Sequence, residues 1–176
     1  MTKLSDVKVN DKDYKVISDV TFGTINFKYY KNKWQSEEKI FSTEFFVDKP
    51  TYKALGKEFK KMSLKVVEND EMQTRFHLDP VFPDQDEQYK VMMSAKAERT
   101  DKKGNLMQLW KEEYLGLDVR PKVYDKTTGE DITMKFALQA GCTGDVYFRV
   151  HTNEFGTQAY VAFIKLDKVI PYVKPE

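Results

Sequence analysis

Clusters of acidic side chains are the first residues in this sequence that could do chemistry. They occur at Glu37/Glu38, Asp84/Asp86/Glu87 and Glu112/Glu113. A metal-dependent nuclease needs such carboxylates to converge on one or two divalent cations. Neighbouring acids on a strand or loop point in different directions, however, and more often form a solvated surface. We therefore predict neither a metal site nor a cofactor, and a nuclease is the least favoured interpretation of the sequence.

The single cysteine, Cys142, is the second candidate for chemistry. It could act as a nucleophile with His151 as its base. A lone cysteine is more often a small core residue, and the sequence offers no third group to orient the histidine. The segment "GCTGD" lacks the lysine of a phosphate-binding loop, and His77 and His151 lie too far apart for a zinc pattern. No enzyme signature remains, so we predict that the protein is not an enzyme.

Cationic and aromatic residues at strand spacing form the third group. The stretch from Asp145 to Tyr172 alternates apolar and polar residues and breaks once, at 153–156, which predicts two strands joined by a turn. Its apolar residues Val146, Phe148 and Val150 belong to the core. The side chains between them must then face outward, and these are Tyr147, Arg149 and His151.

The same alternation places further cations and rings on the outward faces of two other strands. They are Asn26, Lys28 and Tyr30 on one strand, and Lys90, Met92, Ser94 and Lys96 on the other. Single-stranded nucleic acid is bound by lysine and arginine along the phosphates and by rings on which bases stack, at about 1–3 kcal/mol per base. Any sheet also has a wet face on which lysine and tyrosine are common. Recurrence on three strands makes a binding surface as good an explanation as a wet face.

The candidate nucleic-acid contacts divide into rings and cations. The rings that would stack on bases are Tyr30, Trp34, Trp110 and Tyr147. The cations that would meet phosphates are Lys28, Lys90, Lys96, Lys102 and Arg149. His151 is assigned no role. Because the formal net charge is only +1, binding requires the seven acids of residues 68–87 to lie apart from these residues.

Several short strands and one helix must position these residues. Strands are predicted at 20–30 and 40–47, and a helix follows because Asp48 can cap it and Pro50 suits its first turn. Residues 67–88 form an irregular acidic excursion with one short strand around Phe76. A strand then covers 88–99, and a turn with Gly104 leads into a partner strand over 106–114. The next breaks fall at 125–129 and 141–145.

The order of these elements predicts an all-β class. Six or seven strands separated by turns, without regular βαβ alternation, favour an antiparallel barrel or sandwich. A small barrel with one inserted helix is the arrangement of an OB-fold, a five-stranded antiparallel Greek-key barrel, here with extra loops. The length of 176 residues suits one domain, residues 1–176. No apolar run approaches the roughly 20 residues of a membrane span, and the N-terminus lacks a signal core, so we expect a cytosolic protein without a membrane partner.

Several local patterns resemble the single-stranded DNA-binding proteins of short-tailed bacteriophages. The pattern is clearest in residues 119–172, and the order of elements agrees over most of the chain. The segments concerned are "RPKVYDKTTGEDI", "AGCTGDVYFRV" and "FGTQAYVAFIKLDKVIPY", preceded by "VTFGTINFKYYKNKW" and "FFVDKPTYKAL". The sequence differs from the family at Cys142 and Thr143, where the family tends toward Asn and Gly. The family also ends in an acidic tail with an aromatic terminus, whereas this sequence closes on "YVKPE".

The resemblance implies an OB-fold that coats unwound DNA, without sequence preference, in phage replication and recombination. It also implies the cytoplasm of the infected bacterium as location, and polymerase and helicase as partners. We expect a monomer or weak homodimer. The alternative is a structural or adaptor β-domain of a virion, whose aromatic residues would form a protein interface. The sequence leaves open whether DNA or RNA is preferred, how long the footprint is and whether binding is cooperative.

Overall fold

A computed structural model describes residues 1–117 and 120–173 of the chain. Val119, where the sequence resemblance begins, and the final residues 174–176 lie outside the described residues. The strands are β1 (Lys3–Val9), β2 (Lys12–Asn32), β3 (Lys39–Val47), β4 (Ser63–Glu68), β5 (Glu87–Lys96), β6 (Glu98–Thr100), β7 (Leu106–Gln108), β8 (Lys122–Asp125), β9 (Thr143–Asn153) and β10 (Gly156–Lys168). The helices are α1 (Lys49–Glu58) and α2 (Met72–Phe76), with 3₁₀ turns at Asn69–Glu71 and Glu112–Tyr114.

The strands form one large curved sheet and one short ribbon. The order in the sheet is β4-β5-β3-β2-β9-β10-β8, β1 pairs with β2, and β6 pairs with β7 in the ribbon. The neighbours are antiparallel except β8, which runs parallel to β10. The path β5-β3-β2-β9-β10 is the five-strand barrel, because β5 and β10 at its two ends approach one another. The predicted all-β, OB-like class is confirmed, and β1, β4 and β8 extend the barrel.

Alternation along the strands builds the barrel core. Phe22, Phe45 and Phe148 are fully buried inside it, together with the apolar residues of β5 and β10. A smaller cluster lies on the other side of β3, where Phe46 meets Met72 and Phe76 of α2. The ring centroids of Phe46 and Phe76 are 5.1 Å apart. One face of the β3–β5 pair is therefore covered by α2.

The helix predicted after Asp48 forms as its start signal requires. The Asp48 carboxylate accepts the Thr51 N–H at 3.0 Å, and Pro50 lies in the first turn. The helix ends at Glu58, and the buried Phe59 follows it. Among residues 1–117 and 120–173, no helix is both long enough and apolar enough to cross a membrane.

Three predicted elements differ in the structure. The strand predicted at 20–30 is β2, which begins at Lys12 instead of residue 20. It pairs with β1 through a turn at Asn10 and Asp11, both of which have positive φ. Residues around Phe76 form the helix α2 and not a strand, because the apolar face of α2 packs on β3. The partner strand predicted for 106–114 is shorter, since β7 ends at Gln108 and 3₁₀ structure follows.

Candidate nucleic-acid interface

A groove of about 660 Å³ opens on the outward face of the sheet beside β8, β9 and β10. We call it the aromatic groove. Its aromatic residues are Tyr14, Tyr124, Tyr147 and Phe163, and its cations are Lys12, Arg120, Lys122, Lys126, Arg149 and Lys165. Among the residues that the structure describes, two carboxylates line it, those of Asp125 and Asp145. The groove therefore combines ring surface with an excess of positive charge.

The alternation of β9 places Tyr147 and Arg149 in this groove. Val146 and Phe148 are fully buried, so the side chains between and beyond them point away from the core. Tyr147 and Arg149 are half-buried and His151 is exposed, which confirms the predicted outward face. The prediction that Val150 belongs to the core is wrong, because this residue is 37% exposed. His151 does not line the aromatic groove.

A β-bulge in β10 brings a second ring to the groove. In the β9–β10 register Val161 lies opposite Phe148 and Phe163 lies opposite Tyr147, which leaves Ala162 as an extra residue. The bulge shifts the alternation, so Phe163 faces outward beside Tyr147. The two rings stack with centroids 4.4 Å apart and planes 15° apart.

Two more tyrosines complete the ring cluster around Phe163. Tyr14 of β2 and Tyr124 of β8 meet its ring edge-on, with centroid distances of 5.3 and 5.9 Å. Edge-to-face contacts of this kind add about 0.5–1.5 kcal/mol per pair beyond burial. Four strands thus hold the cluster in one arrangement before any ligand arrives.

Cations lie directly over these rings. The Lys165 Nζ is 5.2 Å from the centroid of the Tyr147 ring. The Arg149 guanidinium is 5.3 Å from the Tyr14 ring centroid, and its Nη2 donates to the Tyr14 hydroxyl at 3.0 Å. The cations therefore lie next to the rings, so neighbouring phosphates and bases of a nucleic-acid strand could be contacted at the same site.

The carboxylate of Asp145 is tied into the wall of the groove. One of its oxygens accepts the Asp19 N–H at 3.1 Å, and the other accepts the Lys126 ammonium at 3.1 Å. The hydrogen bond to Asp145 raises the pKa of Lys126, so this lysine stays charged. Burial, and to a smaller degree the Asp145 charge, raises the pKa of Tyr147, which keeps the phenol neutral.

A second groove of about 730 Å³ follows the gap between β5 and β10. We call it the seam groove. Its charged lining residues are Lys96, Glu98, Arg99 and Arg149, and Tyr160 and Leu106 add apolar surface. Arg149 and Ala162 line both grooves, so the two are continuous. No residue of 68–87 lines either groove, as the binding hypothesis requires of the acids in that segment.

Five other sequence candidates lie outside the two grooves and keep solvent-accessible positions. Tyr30 and Trp110 contact one another, with ring centroids 4.3 Å apart. Lys28 lies 5.3 Å from the ring of its neighbour Tyr29. Trp34, in the turn after β2, is 84% exposed. Lys102 is exposed in the β6–β7 turn. The structure therefore brings together three of the nine candidates: Lys96, Tyr147 and Arg149.

The prediction for Lys90 is wrong. Its side chain is buried and forms an ion pair with the Glu44 carboxylate, and its Nζ lies 5.6 Å from the Phe76 ring. Strand alternation does place Lys90 opposite the barrel core, but α2 covers that face of β5. Lys90 is therefore a structural residue and is not available to phosphates.

Neither candidate for catalysis gains support from the geometry. Cys142 is completely buried, and its sulfur accepts the Ile170 N–H at 3.3 Å. Burial raises the pKa of this thiol, which makes it an inert core residue. Within the described ranges, no three or more His, Cys, Asp or Glu side chains form a group that could hold a metal ion.

The sequence interpretation missed most residues of the aromatic groove. Phe163 was not predicted to face outward, because the bulge at Ala162 interrupts strict alternation. Tyr14 was not predicted as a site residue, because it lies in the part of β2 before residue 20, where the predicted strand began. Tyr124 had a usable signal, since it follows the buried Val123 in an extended segment next to two lysines.

Comparisons with known proteins agree with the fold. No family model matches the chain, and no curated protein matches it. The crystal structure of gp2.5, a single-stranded DNA-binding protein encoded by bacteriophage T7, is similar with a TM-score of 0.51 and 12% identity, over 94% of this chain and 99% of that chain. The single-stranded DNA-binding protein of bacteriophage Enc34, in complex with single-stranded DNA, has a TM-score of 0.47 and 13% identity, over 98% of each chain. The likeness to the T7 protein concerns the fold, and it agrees with the predicted OB-like class.

Proposed function

We propose that this protein binds single-stranded DNA without sequence preference, with the aromatic groove as the centre of its binding surface. The observation that carries the proposal is the stacked pair of Tyr147 and Phe163 with Lys165 and Arg149 over the neighbouring rings. The proteins of phages T7 and Enc34, which share the fold or resemble it, are described as single-stranded DNA-binding proteins.

The groove favours a single strand because of what its residues can contact. Bases of a duplex are stacked on each other and paired, so their faces are not open to side-chain rings. Each base of a single strand has a free π-face, whichever base it is, and stacking is therefore tolerant of sequence. Both oxygens of Asp145 already accept hydrogen bonds within the protein. The groove's buried acid is thus engaged in structure and not in reading base edges.

The cellular role belongs to the same proposal. The sequence resemblance supports a protein that coats unwound DNA during phage replication and recombination, in the cytoplasm of the infected bacterium. Its action is binding and not catalysis, and its further partners are polymerase and helicase. A monomer or weak homodimer suits a protein that lines up along one strand.

The proposal is tested by fluorescence anisotropy with a labelled oligothymidylate, in parallel with a duplex and an RNA of the same length. We expect micromolar or tighter binding of the single-stranded DNA at low salt. Replacing Tyr147→Ala together with Arg149→Ala should weaken it by at least tenfold, because one stacking ring and one phosphate contact are lost. The melting temperature and gel-filtration volume report whether the variant keeps its fold and oligomeric state.

A matched control removes one tyrosine and one cation outside both grooves. Tyr172 is exposed near the C-terminal end of the described chain and Lys53 is exposed on α1. The double variant Tyr172→Ala/Lys53→Ala should bind as the wild type does. A flat titration of the wild type at about 50 mM salt would falsify the proposal. A groove variant that changes assembly but not DNA binding would favour the virion adaptor instead.

A further inference from the structure

A second ring-and-cation unit lies beyond the seam groove. We call Tyr30 and Trp110 the distal pair. Trp110 packs against the barrel core on one side, and Tyr30 stays 38% exposed with its ring tilted by 40° against the indole. The Lys39 Nζ lies 5.7 Å from the Tyr30 ring centroid. The unit repeats the chemistry of the aromatic groove, although neither ring lines either groove.

Side-chain contacts connect the distal pair to the seam groove. Lys39, which lies over Tyr30, also pairs at 3.3 Å with Glu98. Glu98 itself lines the seam groove. On the same ribbon Leu106, which is 58% exposed, lines the seam groove four residues before Trp110. The aromatic groove, the seam groove and the distal pair therefore follow one another across the surface.

The buried Arg120 fixes the backbone beneath the distal pair. Its guanidinium donates to the carbonyl of Leu109, next to Trp110, and to the carbonyl of Phe27 at 2.9 Å, three residues before Tyr30. Only 1% of Arg120 is exposed, and the guanidinium lies 4.8 Å from the Phe41 ring centroid. One side chain thus joins the two segments that carry the rings. The pair is held in place before binding, which lowers the entropy cost of using it.

We infer that a DNA strand in the two grooves continues to the distal pair, where a base stacks on Tyr30 and a phosphate meets Lys39. This inference rests on the proposed function, because it extends the same strand. Charge supports it: Lys96 and Arg99 line the seam groove together with Glu98, and the Glu98 carboxylate is paired with Lys39. The consequence is a binding site in two parts, of which only long strands reach the second.

The test compares oligothymidylates of about 5 and about 15 nucleotides, near the two ends of the range of OB-fold site sizes. Tyr30→Ala should weaken binding of the long strand by at least about fivefold and of the short strand by less than about twofold. Trp110 reports the same event by fluorescence. In a Trp34→Phe background it is the only tryptophan of the chain. The long strand should quench it, and the short strand should not.

The control variant is Tyr172→Ala, which removes an exposed tyrosine far along the chain and should change neither affinity. If the wild type binds both strands and Tyr30→Ala weakens neither, or both equally, the inference fails while the proposed function stands. It also fails if Tyr30→Ala changes only the gel-filtration volume, since the pair would then be a protein interface. If the wild type binds neither strand, both fail together.

Discussion

Lysine side chains in this molecule either line the grooves or form buried ion pairs, and the surroundings of each lysine decide its role. Lys165 lies over the Tyr147 ring in the aromatic groove, where its charge meets solvent. Lys90 lies under α2 and neutralises Glu44 in a site where neither side chain is well hydrated. An unpaired charge in such a site costs several kcal/mol, whereas a charge in an open groove costs little. DNA affinity and stability should therefore respond to different lysines.

Removing Lys90 should destabilise the fold without weakening DNA binding. The Glu44 side chain is only 16% exposed in the wild type, and Lys90→Ala removes its ion-pair partner, so we expect the free energy of unfolding to fall by about 3 kcal/mol. Urea denaturation measures this change, and anisotropy at a temperature where the variant is folded should give the wild-type affinity. Lys165→Ala is the matched opposite, stable but weaker in binding. A Lys90→Ala variant with full stability and reduced affinity would contradict this assignment.

At the scale of elements, the sequence predicts those parts whose signals are local. The Asp48 cap and the alternation of β9 from Val146 to Arg149 are fixed by neighbouring residues, and both form as predicted. The burial of Lys90 depends on α2 covering β5, a contact between segments that alternation cannot reveal. The place of Phe163 depends on the bulge at Ala162, which shifts the alternation by one residue. The outward ring on β9 was thus predictable, and its stacking partner on β10 was not.

The cap of α1 gives a stability prediction with a defined pH dependence. Burial acts to raise the pKa of the Asp48 carboxyl, but hydrogen bonds from Thr51 and Thr2 outweigh it, so the pKa lies below its usual value. The charged form is thus favoured in the folded state. Its contribution is present above the ordinary carboxyl pKa and is lost as the pH falls through the folded value. Asp48→Ala should cost about 1 kcal/mol at neutral pH.

Chemical denaturation of the wild type and of Asp48→Ala measures this contribution at about pH 7 and about pH 3. The difference in unfolding free energy between the wild type and Asp48→Ala should be smaller in acid, because a protonated carboxyl is a weaker acceptor for the Thr51 N–H. Asp48→Asn is the control, since it keeps an acceptor oxygen but has no titrating group. Its unfolding free energy should not show the loss in acid that protonation of Asp48 causes in the wild type. A gap that widens in acid would show that another group controls the helix start.

At the scale of the whole molecule, the net charge is small, but the acidic and basic side chains are concentrated in different regions. The formal net charge is +1, so attraction by overall charge cannot bring a phosphate backbone to the surface. Seven acids lie in residues 68–87, away from both grooves, while lysines and arginines outnumber carboxylates along the grooves. Local fields over the grooves can therefore be positive although the molecule as a whole is close to neutral.

This separation predicts how binding responds to salt. Each phosphate neutralised on a single strand contributes about −0.7 to the slope of log K against log salt concentration. If about four groove cations contact phosphates, the slope should be about −3. Anisotropy titrations at several salt concentrations measure it. Lys165→Ala removes a cation from the aromatic groove and should make the slope shallower by about 0.7, whereas Lys53→Ala on α1 should leave it unchanged. Equal slopes for the wild type and both variants would mean that phosphates are held elsewhere on the surface, because only cations that touch the strand release counterions from it.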